Sequence, residues 1–392
     1  MFNHAFRRKR HVLLALATAT AVHTVAFTAA AESTMPAGTN LNMVYEDGAF
    51  KHAPRADAHG PIGVMGDQRH HQGELMFSYR YTNMWMEGNK IGLDDVSPDK
   101  IVTTVPNRFF GQPMQSPTLR VVPTQMNINM SMFGAMYGLT DRITLNAMLP
   151  YIDKDMSHIT YKGGMGTTRL GRFSTSTDGI GDLSFGGIVG LYDSKTEDGE
   201  QHLNLLLGLS APTGSITERG RILTPMGGTP IVRLPYAMQL GSGTWDFLPG
   251  VVYTTRTGNL SFGAQYRGNL RLEDENAEGY RLGDLHRATG WAAYEWAPWI
   301  SSSLRVAYQS LGDIDGMDLD ISGPVQTANP DFYGGDRADL LLGVNLIGQK
   351  GVTCGHRVAA EFGVPFFQRL NGPQMETDYT FTVGWQKTLG DC

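Results

Sequence analysis

The strongest constraint on this chain is a two-residue alternation of apolar and polar side chains that starts after Glu74. In the stretch 75–81, Leu, Phe, Tyr and Tyr occupy one set of positions while Met, Ser and Arg occupy the other. Successive side chains of a β-strand point to opposite faces, so this period predicts strands with one apolar and one polar face. The same pattern recurs at 126–132, 143–149, 182–189, 203–209, 260–267, 303–309 and 379–386.

The connections between these segments alternate between short and long. About twelve segments are centred near residues 80, 130, 148, 187, 206, 250, 264, 291, 305, 342, 360 and 384. Short turns, such as 140–141 and 256–258, alternate with the long connections 87–122, 157–181, 213–243, 272–287, 311–337 and 366–378. Short turns on one rim and long loops on the other are typical of outer-membrane barrels. A soluble all-β fold is the alternative, and it has no reason to sort its loops in this way.

Backbone hydrogen bonding gives the physical reason for a closed sheet. In hydrocarbon every N–H and C=O needs an internal partner, and no stretch after residue 31 has the roughly twenty consecutive apolar residues of a membrane helix. The sequence therefore predicts an all-β fold, a transmembrane antiparallel β-barrel of about twelve strands. Its apolar faces, including Met126, Ile128, Met130 and Met132, are expected to meet lipid, and its polar faces to line the interior.

The N-terminus predicts export. Residues 7–10 are basic, an apolar run follows to Phe27, and small residues precede Glu32, which is the order of a secretory signal peptide. We assign residues 1–31 to the signal peptide, 32–73 to a periplasmic extension or plug, and 74–392 to the barrel. The expected location is the outer membrane of a Gram-negative bacterium.

Charge and motifs narrow the function. The formal net charge is −6, which supplies no basic field for nucleic acid. The sequence has no Gly-x-Ser-x-Gly elbow, phosphate loop, His-Glu-x-x-His or Cys-x-x-Cys motif, so we expect no enzyme. The partners expected are outer-membrane lipid, a small-molecule solute, and lipopolysaccharide bridged by divalent ions to the acidic loops at 271–275 and 313–320.

Several short motifs resemble one family. They are residues 59–67 (HGPIGVMGD), 73–81 (GELMFSYRY), 149–151 (LPY), 179–183 (GIGDL) and 211–214 (APTG). Together they resemble the outer-membrane transporters grouped as the MetA-pathway of phenol degradation family. The resemblance implies an outer-membrane barrel with an uptake role, and it supplies no catalytic residues and no defined substrate.

The segment before the barrel contains candidate metal ligands, namely His52, His59, Met65, His70 and His71. Imidazole and thioether groups together suit copper. Copper is therefore a possible cofactor, and the alternative is a solvated histidine pair beside packing methionines. Otherwise no cofactor is expected.

Four arginines fall on the polar faces of predicted strands and are expected to face the lumen: Arg80, Arg267, Arg271 and Arg305. A guanidinium stays charged, so these side chains either favour an anionic solute or pair with carboxylates such as Asp182 and Glu361.

The two cysteines, Cys354 and Cys392, both fall on the predicted periplasmic rim, in an oxidising compartment, and we predict a disulfide between them.

The leading functional prediction is a channel or transporter that passes a small solute across the outer membrane. A hydrophobic or aromatic solute is the more specific form of this prediction. One alternative is a copper-binding protein that the barrel anchors. Another is an outer-membrane hydrolase that would use Ser174, His158 and Asp178.

Overall fold

A computed structural model describes residues 43–46, 49–52, 55–196, 199–349 and 351–389. The predicted signal peptide lies outside the described residues. The strands are β1 Met43–Glu46, β2 Ala49–His52, β3 Leu75–Gly92, β4 Asp94–Asp95, β5 Val121–Thr140, β6 Ile143–Tyr161, β7 Arg169–Ile180, β8 Leu183–Thr196, β9 Gly199–Ala211, β10 Arg219–Arg221, β11 Ile231–Arg233, β12 Asp246–Phe247, β13 Gly250–Thr257, β14 Leu260–Arg271, β15 Tyr280–Arg281, β16 Leu285–Ala297, β17 Ile300–Leu311, β18 Asp315–Gly316, β19 Gly335–Ile347 and β20 His356–Leu389. The described residues also form one α-helix, α1 Pro98–Thr104, and 3₁₀ turns at Tyr236–Met238, Gln326–Ala328, Pro330–Phe332 and Gly351–Thr353.

Eleven strands of the described part of the chain form a closed antiparallel ring. Their order is β3, β5, β6, β8, β9, β13, β14, β16, β17, β19, β20 and back to β3. Strands β4, β7 and β12 pair with members of the ring. The predicted transmembrane β-barrel is therefore confirmed, and its apolar outer face matches a lipid environment.

The longest strand, β20, passes through the wall twice. Its first half pairs with β19 as far as Leu370, and its second half pairs with β3 from Gln374 onward. The side chain of Gln368 donates to the carbonyl of Thr377 at 2.9 Å, although nine residues of extended strand would separate them by roughly 30 Å. The chain therefore reverses near Gly372, whose φ is +98°. A closed ring in which all neighbours are antiparallel needs an even number of crossings. Because β20 crosses the wall twice, the eleven strands supply twelve crossings.

The short turns gather on one rim, which we call the turn rim, and the long connections on the other, the loop rim. Two buried apolar clusters hold the long connections together. One joins α1 to the upper ends of β5 and β6 and includes Ile101, Val102, Leu119 and Tyr161. The other joins four connections around Phe109, Tyr236, Tyr280 and Ile314. The loop rim is therefore covered by packed structure.

Two expectations about the strands are wrong. Met126, Ile128, Met130 and Met132 face the interior, because they lie on the same face as Met136, which packs against residues inside the ring. The connections predicted at 157–181 and 366–378 are mostly strand, since β6, β7 and β20 run through them. Some outward positions of β6 and β7, such as Ser157, Ser174 and Asp178, are polar, so the apolar alternation weakens before these strands end.

Candidate functional site

Residues 55–73, here called the inner segment, lie inside the ring and enter it at the turn rim. The amide of Ala56 donates to the carbonyl of Pro298 at 3.0 Å, and the hydroxyl of Ser301 donates to the carbonyl of Ala56 at 2.8 Å. Arg55 forms an ion pair with Glu295. These contacts fix the start of the inner segment at the turn between β16 and β17.

The middle of the inner segment is held by side chains from several strands. Arg357 Nη2 donates to the carbonyl of Gly60 at 2.6 Å, and Gln265 Nε2 donates to the carbonyl of Met65 at 2.7 Å. Gly63 lies directly against the guanidinium of Arg305 and the carboxylate of Glu361, where a Cβ atom would overlap both. The backbone therefore passes so close to these two side chains that a Cβ atom at position 63 would force either them or the inner segment to shift.

The end of the inner segment returns to the turn rim. The amide of His70 donates to Thr144 Oγ1 at 2.8 Å, and Arg69 donates to the carbonyl of Asp141 at 3.2 Å. His71 Nδ1 lies 3.2 Å from Asp141 Oδ1, which also accepts from the amide of Gln72 at 3.1 Å. The backbone hydrogen bond from Gln72 and the neighbouring His71 lower the pKa of Asp141 below its usual value, so this carboxylate stays charged.

An apolar contact joins the inner segment to the wall. Val64, 3% exposed, packs with Ile188, Leu206, Val252 and Trp291 from four different strands. Burying side chains of this size contributes about 1.5–3 kcal/mol each. The inner segment is therefore held by apolar burial as well as by hydrogen bonds.

The candidate metal ligands are partly brought together. His59, Met65 and His70 line one cavity of about 70 Å³ between the inner segment and the wall, whereas His71 lies beside Asp141 and His52 lies in β2. Burial, and then the charges of Arg357 and His70, hold the pKa of His59 well below its usual range. Within the described ranges, no three His, Cys, Asp or Glu side chains form a group suited to a metal ion. Copper binding stays a prediction.

The predicted lumen arginines differ in their partners. Arg305 makes a bidentate contact with Glu361, at 2.8 and 2.6 Å, and Arg271 pairs with Asp246. Arg80 and Arg267 line the small cavity beside the inner segment. Arg287 and Arg357 also lie on inward faces, and the sequence does not predict them because their strands alternate less cleanly.

Asp182, which we expected to pair with an arginine, binds backbone instead. Its carboxylate accepts from the amide of Gly214 at 2.9 Å and from the amide and hydroxyl of Ser242 at 2.8 and 2.9 Å. Asp182 lies in the break between β7 and β8. Two of the short motifs, GIGDL and APTG, therefore meet at this break and tie down the connection 212–245.

That connection folds down into the loop-rim end of the barrel. Lys154 Nζ donates to the carbonyl of Ala237 at 3.0 Å, and Thr177 Oγ1 donates to that of Met238 at 2.8 Å. Leu234 and Met238 are fully buried against inward-facing methionines. We call this group the methionine cluster; its members are Met126, Met156, Leu234, Met238 and Met375, with Met86, Ile128, Ile222 and Ala237 packed beside them.

A second cavity, of about 470 Å³, lies among the long connections at the loop rim, and we call it the outer cavity. Its lining is mostly apolar and includes Met114, Phe173, Met226 and several prolines. Leu234 and Ile222 line this cavity and also belong to the methionine cluster. Ile222 and Leu234 therefore lie between the outer cavity and the rest of the methionine cluster.

The residues of the hydrolase alternative are not assembled. His158 pairs with Phe173 across the strands and stacks on its ring at 4.6 Å, while Ser174 lies on the opposite face and contacts Ser157 at 3.1 Å. Asp178 accepts from the hydroxyl of Tyr151 at 2.6 Å.

Cys354 is buried at the turn rim, 8% exposed. Its predicted partner, Cys392, lies outside the described residues, so the disulfide stays a prediction.

Within the described residues, no helix is long and apolar enough to cross a membrane. No protein-family model matches the chain. A search of curated proteins gives no match either.

Solved structures do resemble it. The COG4313 outer membrane channel from Pseudomonas putida F1 has a TM-score of 0.51 at 15% identity, covering 82% of this chain and 98% of that one. A Pseudomonas aeruginosa FadL homologue has a TM-score of 0.40 at 9% identity, covering 80% and 90%. The translocator domain of the autotransporter NalP from Neisseria meningitidis has a TM-score of 0.41 at 8% identity, covering 81% and 90%. The first likeness shows the fold of an outer-membrane barrel, and the other two are too distant to support an argument.

Proposed function

We propose that the protein is an outer-membrane channel of a Gram-negative bacterium that passes small, largely apolar solutes. The observation that carries the proposal is the shared apolar wall between the outer cavity and the methionine cluster, formed by Ile222 and Leu234. A sugar porin needs polar groups along its whole path, because a hydrated solute must keep its hydrogen bonds. Apolar walls instead favour solutes that leave water readily.

The proposed path starts in the outer cavity at the loop rim, which faces the cell exterior. Thioether side chains are flexible and adapt to solutes of different shape. A small displacement of Leu234 and Met238 would connect the outer cavity to the barrel interior. The connection 212–245 therefore acts as the outer gate of the channel.

We propose further that the inner segment is a plug at the periplasmic end. It contacts strands on several sides of the ring through Arg357, Gln265, Ser301 and Thr144. Together with the outer gate it encloses the interior, so passage needs both barriers to yield. The likeness to the outer membrane channel from P. putida F1 agrees with a channel role, which we extend to this chain as part of the proposal.

The test is solute entry into liposomes that contain the purified mature protein. Benzyl alcohol should enter far faster than arabinose. Leu234→Asp places a charge in the methionine cluster, at a cost of several kcal/mol, and should slow benzyl alcohol by roughly tenfold or more. Leu234→Ala removes buried volume and should speed it.

The matched control is Leu319→Asp, which introduces the same charge at a loop position that is 83% exposed. It should leave entry of benzyl alcohol unchanged. Heat-dependent gel mobility shows that each variant is folded. If arabinose entered as fast as benzyl alcohol, or if both Leu234 variants behaved like the control, the proposed path would be wrong.

A further inference from the structure

Two arginines lie side by side in the barrel interior, and neither guanidinium has a partner among the described residues. Arg267 of β14 and Arg287 of β16 are directly paired across the two strands. Both point inward, since Arg267 lines the cavity beside the inner segment and Arg287 shares the face of the buried Trp291. Like charges in such a pair repel each other. Neither guanidinium makes a hydrogen bond or ion pair with any described residue.

The charges around this pair do not neutralise it. The charged groups that act on Arg287 are the guanidiniums of Arg267, Arg337 and Arg271. Arg337 has its own carboxylate, Asp339, at 3.1 Å, and Arg271 pairs with Asp246. The positive charges of Arg267 and Arg287 are therefore not balanced by these neighbours. The side chain of Arg287 is exposed within the lumen.

The pairing register places the two arginines between the plug and the methionine cluster. One row of paired inward residues runs through Thr144, Ile188, Leu206, Gly250, Arg267, Arg287, Gln309, Arg337 and Gln368. Through the contact of Gln368 with Thr377, it continues to Met86, Met126 and Met156. The row begins and ends on β6, at Thr144 near the turn rim and at Met156 nearer the loop rim. Its lower end contacts the plug and its upper end is the methionine cluster.

We propose that Arg267 and Arg287 bind the carboxylate of an apolar solute inside the barrel, with the body of the solute directed toward the methionine cluster. The inference rests on the proposed function and names the class of solute that the channel favours: small monocarboxylic acids with an aromatic or aliphatic body. Guanidiniums match a planar carboxylate through paired N–H donors. An apolar body fits the adjoining methionines, whereas a strongly hydrated inorganic anion gains nothing there.

The experiment compares benzoate with benzyl alcohol, which has the same ring and similar size but no charge. Entry of both is measured in liposomes that contain the purified mature protein or a variant. Arg287→Gln and Arg267→Gln remove the charge but keep a shorter polar side chain, and they relieve the repulsion, so both should fold. A charged hydrogen bond is usually strong enough that its loss should lower benzoate entry roughly tenfold. Benzyl alcohol entry should change less than twofold.

Two controls separate the outcomes. Arg219→Gln removes an exposed arginine of β10 in a long connection and should leave benzoate entry unchanged. Arg287→Lys keeps the charge and should keep part of the benzoate entry. Equal losses for benzoate and benzyl alcohol, or a loss in the Arg219 variant, would overturn the proposal.

Two further outcomes distinguish this proposal from the channel itself. If wild-type protein passed benzyl alcohol but excluded benzoate, the carboxylate site would be wrong and the apolar channel would stand. If neither entered, the channel proposal would fail first. Reversal potentials in a KCl gradient test the remaining alternative: a strong chloride preference that benzoate does not reduce would show a site for inorganic anions and overturn the proposal.

Discussion

Replacing Gly63 by alanine should loosen the plug. An added Cβ would overlap the guanidinium of Arg305 and the carboxylate of Glu361. These two groups hold each other at 2.6 and 2.8 Å, and both are buried. The clash can be relieved in two ways, since either the ion pair breaks or the inner segment moves away from the wall.

Magnitudes decide between the two. Breaking a buried ion pair costs about 3–5 kcal/mol. Forcing an extra methyl group into a packed site, with a shift of the backbone, costs about 1–3 kcal/mol. The shift of the inner segment is the cheaper response, so the pair should persist. A change of about 1–3 kcal/mol moves a two-state equilibrium by roughly 5- to 150-fold.

The assay is single-channel recording in planar bilayers with wild-type protein and Gly63→Ala. The variant should open more often by that factor, while its barrel unfolds at nearly the same temperature. Gly164→Ala is the control, because a Cβ there would come no closer than 3.9 Å to Ser116. Unchanged opening in Gly63→Ala, or equal opening in the control, would refute the reasoning.

Two other predictions concern the plug and the outer gate, and a third concerns the two cysteines. The pKa of His59 lies well below the ordinary 6.5 while the plug is seated, so the released plug binds more protons. Acidification below about pH 6.5 should therefore favour release. His59→Leu should remove this pH dependence of conductance. Asp182→Asn weakens charged hydrogen bonds to the connection 212–245, at a cost of about 1.5–3 kcal/mol, and trypsin should then cut sooner after Arg219. If Cys354 and Cys392 are joined, unreduced denatured protein should not react with maleimide.

The sequence predicts the number and place of the wall strands well. Each of the twelve predicted centres lies in a strand of the structure, including the two halves of β20. The reason is that lipid enforces an apolar outer face, so every crossing carries the same alternation. This constraint ends where the strand leaves the lipid. Asp153 and Asp155 point outward on β6, so the apolar alternation no longer indicates a strand there, although β6 continues to Tyr161.

The interior is harder to predict, because its filling comes from elsewhere in the chain. Met126 and Ile128 look like lipid-facing residues until the connection 212–245 is known to pack against them. Arg287 shares a face with the buried Trp291, so alternation alone cannot assign it to a polar interior. The sequence pattern identifies inward arginines only on strands whose other face is cleanly apolar, as for Arg267 and Arg305.

The inner segment begins beside Pro298 and finishes beside Asp141, both at the same rim. It is therefore a hairpin-like insertion rather than a thread drawn through the ring. Such a hairpin can withdraw through the turn rim and return while every wall strand keeps its neighbours. The cost of each cycle is set by the contacts of residues 55–73 alone, so it is open to adjustment by single substitutions without loss of the surrounding cylinder.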